Sequence, residues 1–124
     1  MGVAAAVILV VDDEAPVRDV LALVLEDLGH RVVAATDGRH ALTVAAQEHP
    51  DLVISDVMMP LMGGVELTRR LKAGEAGNRN LPVILMSSAG PAAADGAGAD
   101  AFIDKPFELV AMEKLVARWV GSAR

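Results

Sequence analysis

The stretch Asp51-Leu-Val-Ile-Ser-Asp56-Val-Met-Met-Pro60 decides how the chain is read. Leu52, Val53 and Ile54 form a short apolar run rich in β-branched side chains, the pattern of a strand buried on both faces of a parallel sheet. The run delivers a carboxylate, Asp56, to its C-terminal end, and Pro60, Gly63 and Gly64 then open a loop. In open α/β sheets that edge is where ligands and chemistry sit. The rest of the chain bears on function through what it brings to Asp56.

Upstream, Val7 to Val11 is a continuous apolar run and reads as a first strand ending at Asp12-Asp13-Glu14. Pro16 then opens a helix with Val17, Val20/Leu21, Val24 and Leu28 at helical spacing, Arg18, Asp19, Glu26 and Asp27 on the other side, and Gly29 closing it. Arg31 to Thr36 reads as a second strand at a sheet edge, Asp37-Gly38 as a turn, and His40 to Glu48 as an Ala-rich helix stopped by Pro50. Downstream of Asp56, Val65 to Ala73 is a third helix with Leu67 and Leu71 inward and Arg69, Arg70 and Lys72 outward. Leu81 to Ser87 is a fourth strand ending in two hydroxyls, Ser87 and Ser88. In Ala89 to Asp100 the alanines favour helix and Gly90, Pro91, Gly96 and Gly98 oppose it. Ala101 to Asp104 is a fifth strand followed by Lys105-Pro106, and Glu108 to Val120 is a last helix with Leu109, Met112, Val116 and Trp119 on one stripe.

Five alternating βα units predict an α/β fold: a doubly wound five-stranded parallel sheet with helices on both faces. Right-handed crossovers leave the flavodoxin-like order 2-1-3-4-5 as the favoured topology. The 124 residues suit a single domain, 1–124, with Gly121 to Arg124 as a tail or linker start and no output domain. Hydrophobic residues make up 53% and aromatics only 2%, so the core is aliphatic and base-stacking platforms are largely missing. A net charge of −6 argues against a nucleic-acid or anionic-membrane footprint and is compatible with cations. The lack of cysteine removes disulfides, thiolate metal sites and a thiol nucleophile, and fits a cytoplasmic location. No apolar run is long enough to span a bilayer, and Met1 to Val11 lacks the basic start and cleavage pattern of a signal peptide.

In the 2-1-3-4-5 order the first and third strands are neighbours, so Asp12, Asp13 and Asp56 converge at one crevice. Strand four adds Ser87 and strand five adds Lys105. Three crowded carboxylates resist ionising without compensation. A hard divalent cation such as Mg²⁺ would supply it, as would the Lys105 ammonium. A phosphate could then enter, with Asp56 as acceptor nucleophile, because carboxylates form acyl-phosphates. Singly, each signal has a plainer meaning: Asp12-Asp13 as a helix cap, Asp56 as a cap, Ser87-Ser88 as loop hydrogen bonding, Lys105-Pro106 as a solvated turn. Their joint placement at four strand ends favours function. His30, His40 and His49 fall away from the crevice and read as structural. Of Met58 and Met59, one suits core contact and the other the pocket rim.

The same residues carry a family resemblance over essentially the whole chain. V-D-D-E (Val11 to Glu14), S-D-V-M-M-P (Ser55 to Pro60), L-P-V-I-L-M-S (Leu81 to Ser87), G-A-D-A-F (Gly98 to Phe102) and D-K-P-F (Asp104 to Phe107) resemble the receiver domains of bacterial two-component response regulators. The resemblance implies that Asp56 accepts a phosphoryl group from a phosphohistidine on a histidine kinase or histidine phosphotransfer protein. It implies Mg²⁺, or Mn²⁺ in its place, on Asp13, Asp56 and the backbone carbonyl of Met58, with Asp12 acting directly or through water. Lys105 would pair with the acyl-phosphate, its peptide bond to Pro106 would be cis, and Ser87 and Phe102 would form a coupled switch. The implied protein is a cytoplasmic phosphoacceptor rather than a turnover enzyme, a monomer or weak homodimer, with its downstream target unspecified.

Two features depart from the family pattern. Only ten residues, Ser88 to Ala97, separate Ser87 from Gly98, about one helical turn (~4 residues) short of a full fourth helix. A short or irregular element is expected there, and with it an altered partner surface. Met58 and Ala89, each two residues past a site residue, cannot orient a hydrolytic water, so slow self-dephosphorylation is expected. A Mg²⁺-dependent hydrolase working through an aspartyl-phosphate, and a binding module with an unused switch, are the alternatives.

Overall fold

The computed structural model describes residues 5–122. The order of elements is β1 (Val7–Val11), α1 (Ala15–Asp27), β2 (Arg31–Ala35), α2 (Gly38–Glu48), β3 (Leu52–Asp56), α3 (Gly64–Lys72), β4 (Val83–Ser87), a 3₁₀ turn (Pro91–Ala94), β5 (Ala101–Asp104) and α4 (Leu109–Ser122). The strands form one parallel sheet in the order β2-β1-β3-β4-β5. The expected topology is therefore the one observed, with β2 at an edge as its mixed composition implied. Residues 1–4 of the apolar opening and residues 123–124 of the expected tail lie outside the described residues; Gly121 and Ser122 continue α4 instead of starting a linker.

Two aliphatic cores sandwich the sheet. On one face Leu9, Val11, Val53 and Leu85 pack against Ala41 and Ala45 of α2 and Leu67 and Leu71 of α3. On the other, Ile8, Val10, Ile54 and Ile84 meet Leu21 and Leu25 of α1 and Met112, Val116 and Val120 of α4. β3 and β4 are buried along their whole length, which explains their unbroken apolar reading. Each fully buried Leu or Ile contributes roughly 1.5–3 kcal/mol relative to exposure.

Several boundaries differ from those expected. β4 begins at Val83, not Leu81, because Pro82 has no N–H for the ladder, although its carbonyl still accepts from Val53 N–H at 3.0 Å. α2 begins at Gly38, where Asp37 caps it by accepting from His40 N–H at 2.9 Å. A β-carbon at Gly38 would strike the Met62 carbonyl, the same oxygen that accepts the Gly38 N–H at 2.9 Å. The inward stripe of α1 is Leu21 and Leu25, while Val20 and Leu28 are exposed. On α4 it is Met112, Val116 and Val120; Leu109 lies open at the helix start.

The segment expected to be short is a single 3₁₀ turn. Ala93 and Ala94 of this turn lean on the α2/α3 core. The stretch is secured at its exit by Asp100. Its Oδ2 accepts from Val83 N–H at 2.8 Å and from Lys72 Nζ at 2.6 Å, and Lys72 also donates to the Leu81 carbonyl at 3.0 Å. Lys72 thus turns inward from α3, contrary to its expected outward face, because its long stem reaches the sheet edge.

Candidate functional site

The site is built at the C-terminal edge of β1, β3, β4 and β5. β1 ends at Val11 and the chain passes into Asp12, which is fully buried, and Asp13, which is exposed. Asp12 is held on every side. Its N–H donates to Ala35 O at 3.2 Å, its Oδ1 accepts from Glu14 N–H at 2.9 Å, and its carbonyl accepts from Arg18 Nη1 at 2.7 Å. β3 ends at the buried Asp56, whose carbonyl accepts the Ser55 hydroxyl at 2.9 Å. One oxygen from each of Asp12, Asp13 and Asp56 lies within 4.8 Å of the others. Oxygen donors at that spacing, one of them open to solvent, suit a hard divalent ion that keeps some of its water.

Lys105 follows β5 and sits against this cluster, its peptide bond to Pro106 cis. Its Nζ is 2.9 Å from Asp12 Oδ2 and 3.4 Å from Asp56 Oδ1. Burial works against the ammonium, but the hydrogen bond and charge of Asp12, joined by those of Asp56, outweigh it and hold the Lys105 pKa above its ordinary value. Burial raises the Asp56 carboxyl; Lys105 pulls it back and the neighbouring Asp12 pushes it up further. Asp56 therefore takes on its negative charge less readily than a free carboxyl.

A cavity of about 610 Å³ opens beside Asp56. Ser87 and Lys105 line it, together with an apolar wall of Val17, Val20, Met58 and Phe107. Ser87 is buried at the end of β4 and its Oγ accepts from Ala89 N–H at 2.9 Å. Phe102 is half-buried on β5, packed toward the α2/α3 core. Met59 packs against that same core, and Met58 stands 69% exposed at the cavity mouth, which separates the two methionines.

Residues 8–117 match the response regulator receiver domain. The chain belongs to the response regulator receiver family. Over 121 residues this receiver is 40% identical to the phosphate regulon transcriptional regulatory protein PhoB of Pseudomonas aeruginosa, covering 92% of the chain and 52% of that protein. The chain spans about half the length of the curated relatives it matches. Among solved structures it resembles the signal receiver domain of a signal transduction histidine kinase from Syntrophus aciditrophicus, with 36% identity, a TM-score of 0.87 and coverage of 94% and 91% of the two chains. It also resembles the receiver domain of a sensor histidine kinase from Pseudomonas aeruginosa, solved with a magnesium ion coordinated in its active-site cleft, at 30% identity, a TM-score of 0.81 and coverage of 95% and 99%.

The receiver brings Asp12, Asp13, Asp56, Ser87 and Lys105 to one edge, while the three histidines lie elsewhere. His30 is buried and its Nδ1 accepts from Ala6 N–H at 3.1 Å; His40 Nδ1 accepts from Thr36 N–H at 3.2 Å; His49 caps α2. Two participants escaped the reading of the sequence. Arg18 was assigned to the solvent face of α1 but reaches back to the Asp12 carbonyl. Gly64 counted only as loop punctuation, yet it abuts the Asp56 carbonyl. The signal available for Arg18 was its place one turn after Glu14 on a helix that starts beside the acids.

Proposed function

We propose that this receiver is a phosphoacceptor switch in a two-component phosphorelay, with Asp56 as the phosphorylated residue. The convergence of the Asp12, Asp13 and Asp56 oxygens within 4.8 Å, with the Lys105 ammonium against them, carries this reading. An Asp56 carboxylate oxygen attacks phosphorus as the phosphorus–nitrogen bond of a phosphohistidine breaks, and the departing imidazole nitrogen keeps the electron pair. Lys105, already 3.4 Å from Asp56 Oδ1, neutralises charge at the acyl-phosphate. Ser87, on the same cavity wall, offers a hydroxyl donor to the phosphoryl oxygens, and Phe102, half-buried on the neighbouring β5, is the second member of the switch.

Asp13, Asp56 and the Met58 carbonyl, with Asp12 directly or through water, would hold Mg²⁺ or Mn²⁺. The cation when bound offsets the negative charge of the phosphoryl oxygens. The magnesium ion in the cleft of the Pseudomonas aeruginosa sensor kinase receiver supports that choice. The phosphodonor is a histidine kinase or a histidine phosphotransfer protein, whose phosphohistidine reaches Asp56 through the cavity beside it. The domain works in the cytoplasm as a monomer or weak homodimer and does not itself contact nucleic acid. It is a phosphoacceptor with self-phosphorylation and slow self-dephosphorylation, not a turnover enzyme. Among the described residues no helix is long and apolar enough to cross a membrane.

Incubation with acetyl phosphate and Mg²⁺, followed by intact-mass measurement, tests the reading. One phosphoryl group is expected on the wild type, and none on Asp56→Asn or in EDTA. Equal labelling of Asp56→Asn would overturn the assignment. Phosphotransfer profiling against histidine kinases then identifies the donor.

A further inference from the structure

The two adjacent acids at the end of β1 are held very differently. Both carboxylate oxygens of Asp12 have partners, Glu14 N–H and Lys105 Nζ, each at 2.9 Å. Asp13 is exposed, and its carboxylate has no partner among the described residues. With no partner to fix its side-chain torsions, Asp13 takes from its backbone only the direction in which its β-carbon departs, and that direction limits where its oxygens can reach. The Asp12–Asp13 peptide is planar, so fixing the Asp12 carbonyl oxygen fixes the plane from which Asp13 departs. Arg18 fixes it, with Nη1 at 2.7 Å. Arg18 is itself seated, since its N–H donates to Glu14 O at 3.3 Å in the first turn of α1. From the opposite side, Asp12 N–H is tied to Ala35 O at 3.2 Å. The two peptides that flank the Asp12 α-carbon are thus each held, the Val11–Asp12 peptide by β2 and the Asp12–Asp13 peptide by Arg18 of α1.

We propose that Arg18 is a positioning residue for the cation site: by gripping the Asp12 carbonyl it aims the Asp13 carboxylate at the point where the three acids converge. The proposal rests on the reading of that cluster as a cation site. Two effects of Arg18 oppose each other, which makes the sign of its removal informative. As a positive charge near the site it repels a divalent ion, so deletion by charge alone would tighten binding. As a clamp it pre-organises a ligand, so deletion would weaken binding. The repulsion acts through solvent and is screened by salt, whereas groups that orient metal ligands are typically worth 10–100-fold in affinity. The clamp is expected to win.

Mn²⁺ affinity, followed by the paramagnetic resonance signal of the free ion, is measured for the wild type, Arg18→Ala, Arg18→Lys and Asp13→Asn. Thermal unfolding in EDTA monitors folding in parallel. Arg18→Ala is expected to bind about tenfold more weakly. Arg18→Lys recovers part of the loss, since an ammonium can make the single hydrogen bond. Asp13→Asn loses more than either. Unchanged or tighter binding by Arg18→Ala, with Asp13→Asn weakened, overturns the role of Arg18 alone. Identical binding by the wild type and Asp13→Asn instead overturns the cation-site reading beneath it. Should Arg18→Ala fail to fold, Arg18→Met keeps the apolar stem and removes only the donors, and the same affinities decide.

Discussion

Gly64, the first residue of α3, lies so close to the main-chain carbonyl of Asp56 that a β-carbon there would overlap that oxygen and press on Leu85. The Gly64 N–H also donates to Val57 O at 2.9 Å, so the end of β3 and the start of α3 share one tight seam. Gly64→Ala must move either the helix or the strand end. It is expected to cost roughly 1–3 kcal/mol of stability and to lower Asp56 phosphorylation beyond what unfolding explains. Chemical denaturation alongside acetyl phosphate labelling checks both; wild-type values in each would contradict the seam.

The raised pKa of Asp56 has a consequence for stability. Burial, reinforced by Asp12 and opposed by Lys105, places its folded pKa above the ordinary 3.8. A carboxyl shifted upward favours the folded state when protonated, and that contribution is lost as pH rises from its unfolded pKa through its folded one. Without divalent cation, Asp56→Asn is expected to melt higher than the wild type at neutral pH. The advantage should shrink as pH falls and vanish below the unfolded carboxylate range. Added Mg²⁺ should narrow or reverse the difference, because a ligand that binds only the folded wild type stabilises it. Thermal melts across pH, with and without Mg²⁺, measure this; an Asp56→Asn protein no more stable at neutral pH in EDTA counts against it.

Asp100 anchors the exit of the 3₁₀ segment through Val83 N–H and Lys72 Nζ. Asp100→Ala strands a backbone donor at the start of a buried strand, which typically costs about 1–3 kcal/mol. Asp100→Asn can still accept from Val83 and gives up only the ion pair with Lys72, so a smaller loss is expected. The ordering Ala worse than Asn, read by denaturant titration, is the check. Equal losses would mean that the Lys72 pair dominates.

Leu61 holds a left-handed backbone, φ 67°, with its side chain 76% exposed. A β-carbon in that region costs roughly 1–2 kcal/mol, and little burial offsets it. Part of that gain is returned through the greater freedom of an unfolded glycine, about 0.4–1 kcal/mol. Leu61→Gly is expected to stabilise modestly, seen as an upward shift in Tm. A lower Tm would show that Leu61 makes contacts that outweigh its backbone.

Met58, at the cavity mouth, has a thioether that donates no hydrogen bond and accepts one weakly. It cannot hold a water in line with an acyl-phosphate, and Ala89 cannot help. Slow loss of phosphate from Asp56 is expected, with clear acceleration in Met58→Asn. Decay followed after removal of the phosphodonor measures both; rapid decay in the wild type would refute the first half.

The sheet was legible because β1, β3 and β4 are short apolar runs, and because β1, β3, β4 and β5 each lead into a residue with chemistry. The position of Asp56 followed from strand period and topology alone. What escaped was set by reach and by ends. Arg18 and Lys72 lie on outward-facing helical positions, but flexible stems carry their heads to backbone carbonyls that periodicity does not locate. Val20, Leu28 and Leu109 fitted apolar stripes, yet all three are exposed: Leu28 and Leu109 lie at helix ends, and Val20 lines the cavity beside Asp56. Thr68, polar in the sequence, is buried because its hydroxyl donates to the Gly64 carbonyl one turn back, at 2.7 Å.

The 3₁₀ turn at Pro91–Ala94 also sets a mechanical scale. Four residues of 3₁₀ geometry extend about 8 Å, against roughly 16 Å for a three-turn α-helix. A given tilt imposed at the Ser87 end therefore sweeps the far end through about half the arc that a full helix would trace. The lever arm at this corner is short, and any signal it transmits is confined to the residues that adjoin it.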